Sequence, residues 1–592
     1  MNLFIYDYEV FRYDTLLGAL KLDLENDSYE VIQTWDIHKQ QELYCRYVDN
    51  SIWIGWNSNH YDDLIFEGVV NNDNPYRISK SLIGKQYRPY CKIKLFGYDL
   101  LNGFLNPPSL KLTEALCGDA IDTTEVDFNL DRPLTLEEKQ KTEKYNMSDL
   151  IREYKNFKLF RGKFELRLSM ITEFNIPLQE GLRMTGTQIA AAALGAKRNP
   201  ALAYMPIKPQ LYPTLQIKNQ AVIDWFLGEK FREKEPLLLD ICNTKINLVA
   251  GGAHSQCDKY HCSKALYADI SGYYNLVMMN FDLLPRTLTE EGKKQYKFMY
   301  GEVQRLKKID PRKRKIYKTV CLSVFGAMNN EHTDFYDPYK ALLVTSTGEM
   351  FMVDLLEKLD GLGTAFNVNT DGIMFEPFDW KDQEKIESII QEWVDRNGFS
   401  VKTGIITDYH ARDVNCYIMH DPDGSLCFKG EAVKNYDISD EAFAEGAFFN
   451  CKEPPIVAQG IVAAFMDGIL PEQFVKQNQN NLKLFQYTCK KNTYDYLVAQ
   501  TTILADGSKS EERIQSPSRV FAGKTPGQLS TIIKHGTDKH GRHRTAKVQN
   551  VPLNTFVWNK EILSDYAIEQ VSKKLDYEYY INRIYERIGE FL

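Results

Sequence analysis

The sequence predicts a multidomain chain that mixes α/β and α+β units, and three observations predict it. At 592 residues the chain exceeds the size at which one hydrophobic core keeps growing. Individual strands, such as Leu3–Phe11 and Ala265–Ala268, and helical segments, such as Lys144–Leu150 and Glu290–Lys308, both read along the chain. Strands that deliver carboxylates occur in two distant places, around Asp7 and around Asp269, so two chemical centres are expected on two sheets.

Composition narrows the class. With 43% hydrophobic residues the chain can build real cores, and no run of 18 apolar residues marks a membrane span. The N-terminus opens directly into a strand with no leader, and the eleven cysteines form no C-x-x-C pair; reduced thiols in a cytoplasm are expected. A net charge of −8 argues against nucleic acid in bulk, yet Lys293–Lys318 holds eleven Lys or Arg against Glu302 and Asp310. Distribution decides over the sum. The 35 tyrosines suit stacking on bases or ordinary half-buried packing.

Leu3–Phe11 reads as a strand with Asp7 and Glu9 on one face. Two such acids repel unless a cation joins them; alone they could equally be solvated charges. Ile52–Asp63 ends an apolar strand in Asn57, Tyr61 and Asp62, where a helix N-cap is the plain alternative. Lys144–Leu150 is helical, and Tyr145 and Asp149 share a face there, as in any amphipathic helix. Gly181–Gly195 reads as one Ala-rich helix, followed by a Pro-dotted stretch, Pro200–Pro213, that marks a boundary. Leu248–His254 carries Gly251 and Gly252, which permit a close backbone approach or a plain turn. His254, Cys257, His261 and Cys262 have metal-ligand spacing, but a hairpin turning at Asp258–Lys259 would send them to opposite faces, so no zinc is expected.

The central stretch is Tyr267–Asn275; Ala265–Ala268 leads into it as a short buried strand that delivers Asp269, with Tyr274 five residues later. Ala365–Phe375 alternates, turns at Asp371-Gly372 and alternates again. Between them, Glu290–Lys308 and a segment from Arg312 form two helices broken at Asp310-Pro311, with Arg314 and Lys318 on one face. Two acids on neighbouring strands facing a basic helix can hold divalent metals and neutralise a triphosphate; without the acids the basic run would be a solvated surface or a nonspecific nucleic-acid patch.

These stretches resemble the motifs of family B DNA polymerases. Asp269, Gly272, Tyr273, Tyr274 and Asn275 are similar to D-x-x-S-L-Y-P; Lys318, Leu322, Ser323, Phe325 and Gly326 to K-x-x-x-N-S-x-Y-G; Asn369, Thr370 and Asp371 to D-T-D. Upstream, Asp7/Glu9, Asn57–Asp62 and Tyr145–Asp149 resemble, in order, the D-x-E, N-x-x-x-F/Y-D and Y-x-x-x-D motifs of a 3′–5′ proofreading exonuclease. Pro107–Thr113 resembles S/T-L-x-x-h, Val249–Gly252 resembles Y-x-G-G, and Val414–Tyr417 with Cys427–Glu431 resembles the K-x-Y hairpin. Asn369, Leu322, Phe325, Val249 and Asn415 depart from these patterns.

The resemblance implies an RNase H-like exonuclease domain at 1–210, a palm at 211–290 and 331–436, fingers at 291–330 and a thumb at 437–592. It implies a DNA-templated DNA polymerase of compact bacteriophage type in an infected host's cytoplasm. Two divalent metals per site are implied, Mg2+ or Mn2+ in its place, on Asp269 and Asp371 and on Asp7, Glu9, Asp62 and Asp149, with Tyr145 orienting a water. Arg314, Lys318, Tyr274 and Ser323 would meet the nucleotide, with Tyr274 under its ribose. Asn57, Tyr61, Ser109 and Leu110 would hold a frayed primer end; Gly251, Gly252, Tyr417, Lys429, Gly430 and Arg519 would meet DNA, with Lys534–Arg544 as a further basic patch. Partners are primer–template DNA, dNTPs and a sliding clamp, helicase or single-strand binding protein, with no membrane and a monomeric state; Gln528–Ile532 faintly resembles a clamp peptide. The spacings Asp269–Lys318 and Gly326–Asp371 leave no room for the insertions of protein-primed relatives, so nucleic-acid priming with modest processivity is expected. The rival readings are a nuclease with a degenerate polymerase domain, a non-catalytic primer–template binder and a reverse transcriptase.

Overall fold

The structure is a computed structural model that describes residues 1–592 except 84–90, 105–106, 229, 231–234, 448, 450–451, 503–507 and 526–527. The chain divides into two compact units. The first gathers Met1–Thr185, Asn435–Ala458 and Glu472–Arg583; the second gathers Gly186–Lys434, Gln459–Pro471 and Ile584–Leu592. The division thus falls before the Pro200–Pro213 stretch, and most of 437–592 clusters with the N-terminal residues.

The first unit holds β1 (Asn2–Val10), β2 (Thr15–Asp23), β3 (Ser28–Thr34), β4 (Ser51–Gly55) and β5 (Gly97–Asp99) in the order β3-β2-β1-β4-β5. β1 runs antiparallel to β2 and parallel to β4. Its Phe4, Tyr6, Tyr8 and Val10 join one core cluster with Trp53 and Phe66. Alternation sends Ile5, Asp7 and Glu9 to the other face. The helix Leu136–Glu173, started by a Thr135/Glu138 capping box, packs there, and Asn146 donates to Asp7 Oδ2 at 2.9 Å. Gly18 on β2 permits this approach, since a Cβ there would stand 1.8 Å from Asn146 Oδ1.

The second unit is built on a nine-stranded sheet. Its strands are β6 (Leu237–Ile241), β7 (Thr244–Leu248), β8 (His254–Ser255), β9 (Tyr260–Ile270), β10 (Gly363–Asn369), β11 (Gly372–Pro377), β12 (Val401–Asp413), β13 (Cys416–His420) and β14 (Leu426–Lys429), ordered β14-β13-β12-β9-β11-β10-β8-β7-β6. The helix Pro338–Leu359 is buried nearly all round from Leu343 to Leu356, as its apolar sequence requires. A third sheet, of β15 (Tyr487–Cys489), β16 (Tyr496–Thr502), β17 (Lys509–Ile514), β18 (Ser518–Ala522), β19 (Ser530–Thr537), β20 (His543–Lys547) and β21 (Thr555–Val557), belongs to the first unit.

Several expectations change. The Gly181–Gly195 helix is two, Leu178–Arg183 and Gly186–Leu194. The central strand runs well beyond Ala265–Ala268. No hairpin joins β8 to β9, because the β10–β11 hairpin lies between them in the sheet. The tight turn of that hairpin is Thr370-Asp371, one residue earlier than read, with Thr370 taking the positive φ of 62°. The Lys534–Arg544 patch spans paired strands β19 and β20, and Ile532 of the clamp-like stretch is buried in β19.

Candidate active sites

Asp7, Glu9 and Asp149 converge so that one carboxylate oxygen from each lies within 4.8 Å of the others. The strand alternation aims the first two at the helix, and the third comes from the turn of the helix that faces them. An all-carboxylate oxygen set suits a hard divalent cation. Asp62 stays beside this trio rather than in it: it begins the helix Asp62–Val70, is buried, and accepts from the Tyr8 N–H at 3.2 Å.

Charge crowding is written into the protonation of these groups. Burial, then the Asp149 charge, pushes the Asp7 carboxyl up to about 7. Burial and the neighbouring acids hold Glu9 and Asp62 well above the carboxylate range. Asp149 is also raised by burial, but less freely, because Lys111 Nζ donates to it at 2.5 Å and the Tyr145 hydroxyl bonds it too. The same ammonium lies over the Tyr145 ring at 4.8 Å and bridges to Glu114 at 3.1 Å.

Tyr61 and Glu9 line a cavity of about 490 Å3 with Tyr8, Tyr76 and Lys80, enough for a terminal nucleotide unit. The Tyr61 hydroxyl shares a 2.7 Å hydrogen bond with Ser79. Asn57 sits at φ 65° and its N–H donates to Asp99 at 2.9 Å, so its backbone shapes the loop before Tyr61. Ser109 caps the helix Leu110–Cys117, accepting from the Leu112 N–H at 3.3 Å, and Leu110 is half-buried at its first turn.

In the second unit, antiparallel register sets Asp269 of β9 opposite Gly372 of β11, beside Asp371 in the turn. The Ile270 N–H donates to the Asp371 carbonyl at 2.8 Å and locks that placement. Burial raises both carboxyls. Lys402 and Lys429 pull Asp269 back; the Asp269 charge raises Asp371 further, and Lys429 pulls it back. Lys402 is the cross-strand partner of Asp269, and Tyr417 pairs with Lys429 across β13–β14, next to Gly430 at φ 107°.

The helices Glu290–Arg305 and Pro311–Ala327 pack as the expected pair, the second capped by Asp310. Arg314, Lys318, Leu322 and Phe325 form one stripe. Arg314 Nε donates to the Val303 carbonyl at 3.1 Å, Lys318 is exposed, Leu322 is 56% exposed, and the Phe325 ring lies 4.4 Å from the Tyr274 ring. Ser323 turns its hydroxyl onto its own helix, donating to the Thr319 carbonyl at 2.8 Å.

Two assigned contacts change. Arg519 cannot meet DNA: it is 0% exposed on β18, and its guanidinium donates to the carbonyls of Ala115 (2.7 Å), Asp119 (2.9 Å) and Lys560 (2.7 Å) and to Gln486 Oε1 (2.8 Å). A fully buried guanidinium whose three nitrogens all donate to protein oxygens does not reach a phosphate. The N–H groups of Gly251 and Gly252 likewise point inward, both donating to the Glu349 carboxylate.

Sequence reasoning passed over Lys111, Glu153 and Glu349. Glu153 lies one helical turn beyond Asp149, so spacing alone could have found it; it is buried beside the acid cluster and Oε2 has no hydrogen-bond partner among the described residues. It also missed that two departures from the motifs meet: Asn369 Nδ2 donates to Asn415 Oδ1 at 3.1 Å.

No family model matches this sequence, and no curated protein does. Among solved structures, the chain is similar to the family B DNA polymerase from the hyperthermophilic archaeon Pyrobaculum calidifontis, with 12% identity, 100% of this chain and 78% of that one covered, and a TM-score of 0.42. No helix among the described residues is long and apolar enough to cross a membrane.

Proposed function

We propose that the chain is a DNA-templated DNA polymerase with a 3′–5′ proofreading exonuclease, of compact phage type, working as a monomer in the cytoplasm of an infected bacterium. The observation that carries this reading is the register that seats Asp269 on β9 beside Asp371 in the β10–β11 turn, with the Arg314–Lys318 stripe ending on Tyr274.

In this reading Asp269 and Asp371 would hold divalent cations, and the primer 3′-hydroxyl and the nucleotide triphosphate meet beside these two carboxylates. When bound, two such ions lower the hydroxyl pKa and neutralise the leaving phosphates. Lys318 and Arg314 meet the outer phosphates, Tyr274 lies beneath the sugar, and Tyr417 and Lys429 steady the primer end. Residues 291–330 serve as fingers, 211–290 and 331–436 as palm, and 437–592 as thumb. In the first unit, Asp7, Glu9 and Asp149, with Asp62 beside them, form the nuclease site; Tyr145 orients the attacking water and Tyr61 lines the pocket for the frayed terminal nucleotide. Synthesis starts from a nucleic-acid primer, with weak strand displacement and with clamp, helicase or single-strand binding partners supplied by host or phage.

The test is primer extension on a DNA template with four dNTPs and Mg2+, with and without Asp371→Ala. Template-directed products from the wild type alone support the reading. The second reading, a nuclease with a degenerate synthetic site, is favoured by Asn369 standing where an acid is expected; degradation without extension would select it.

A further inference from the structure

The loop between β7 and β8 has no regular structure, yet every N–H from Val249 to Gly252 has the same partner. They donate to the Glu349 carboxylate at 3.0, 3.1, 3.2 and 3.1 Å in chain order. Glu349 is 1% exposed in the helix Pro338–Leu359. One turn earlier on the same face, Thr345 Oγ1 donates to the Ala250 carbonyl at 2.7 Å. A buried carboxylate held by four N–H groups is a strong, directional anchor, because both desolvation and geometry punish its loss. The anchor is needed: Ala250 sits at φ 59° and Gly252 at φ 139°, a loop shape the chain does not adopt freely.

The other side of the loop faces the acid pair. The Gly251 carbonyl accepts from the Tyr274 hydroxyl at 3.2 Å, and the Ala253 carbonyl accepts from the Thr370 N–H at 3.0 Å. A Cβ on Gly252 would stand 2.5 Å from Thr370 Oγ1, so the loop packs directly on the residue before Asp371. The carbonyl that holds the Tyr274 hydroxyl is therefore placed by the loop, and the loop is placed by Glu349. Glu349 makes neither contact itself.

Resting on the reading of Tyr274 as the floor beneath the sugar, we propose that Glu349 is a positioning residue for sugar discrimination. It fixes the Val249–Gly252 loop, the loop fixes the Tyr274 ring, and the ring decides how well a 2′-hydroxyl is refused.

The experiment measures single-nucleotide incorporation of matched dNTP and rNTP by the full chain. Glu349→Gln keeps the volume but turns an amide NH2 toward N–H donors; it is expected to raise the rNTP/dNTP incorporation ratio about tenfold, the effect of losing one buried hydrogen-bond anchor. Tyr274→Phe, which removes only the hydroxyl, is expected to do the same, and the double variant no more than Tyr274→Phe alone. Thr345→Val, the milder loss, should move the ratio the same way and carries the test if Glu349→Gln does not fold. Single-strand degradation serves as the folding control and should stay within about twofold. An unchanged ratio in folded variants, or additive effects in the double variant, would overturn the assignment while leaving the polymerase reading intact. Failure of the wild type to extend any primer would overturn both.

Discussion

In the first unit, Asp7, Glu9 and Asp149 crowd within 4.8 Å, with Lys111 as the cation bonded to the cluster. In the second, Asp269 on β9 and Asp371 in the neighbouring β10–β11 turn stand as a pair, and Lys402 and Lys429 counter their charge. The difference lies in how each site balances negative charge before a metal arrives. The cluster concentrates acids in a dry setting and retains protons; the pair is half-buried and already partly neutralised. A cluster of the first kind gains more from a divalent cation, because the cation replaces both protons and repulsion.

The largest expected effect separates the two sites. Asp269→Asn or Asp371→Asn should cut primer extension by about 10³-fold or more while single-strand degradation continues; Asp7→Ala with Glu9→Ala should do the reverse. Losing both activities in either folded variant would break the claim that the sites are chemically independent.

Lys111 sharpens the contrast next. Lys111→Met removes the ammonium that pulls Asp149 down, so the pH midpoint of nuclease activity should shift upward by about one unit. The midpoint of extension should not move. A nuclease profile that overlays the wild type would show that Lys111 does not tune the cluster.

Acid–base linkage gives a third, smaller effect. The folded carboxyl of Asp7 sits at about 7 against an ordinary value of 3.8. Its favourable contribution is complete below that ordinary value and is lost as pH rises through about 7. The metal-free chain should therefore lose melting temperature as pH rises from about 4 to about 7 and level off above that, and Mg2+ should raise Tm more at the upper end. A metal-induced shift of equal size at both pH values would contradict the charge-crowded picture.

The finest test concerns the Asn369–Asn415 contact. If these two departures are one coupled change, Asn369→Asp and Asn415→Lys should each lower extension several-fold, one adding an uncompensated acid and the other an uncompensated base. The double variant should recover to within about twofold, since the new charges pair. Independent, additive losses would sink the coupling.

Much of both sites was legible because local geometry carries it. Strand alternation alone sends Asp7 and Glu9 to one face, and helical spacing alone aligns Tyr145 with Asp149 and Arg314 with Lys318. Asp310 caps the second helix with Pro311 in its first turn, as read, while the first helix already ends at Arg305, short of Lys308. The turn after Asn369 was misplaced by one residue because Thr370, not a glycine or Asp371, takes the left-handed position.

What the sequence determined by itself, then, is the identity of the carboxylates and the short-range frame that aims them. The tertiary structure alone decided what those carboxylates meet. Lys111 reaches Asp149 from another helix, Glu349 gathers four N–H groups from a loop about a hundred residues earlier in the chain, and Asn369 at the end of β10 meets Asn415 just before β13, although three strands separate β10 from β13 in the sheet. Arg519 reads as a surface base in sequence and is an interior tie in the fold, since all three of its guanidinium nitrogens donate to oxygens of segments separated by up to 405 positions. Hydrogen-bond partners of this kind are set by how strands order in the sheet, and strand order depends on loop closure and global packing, which residue spacing does not encode.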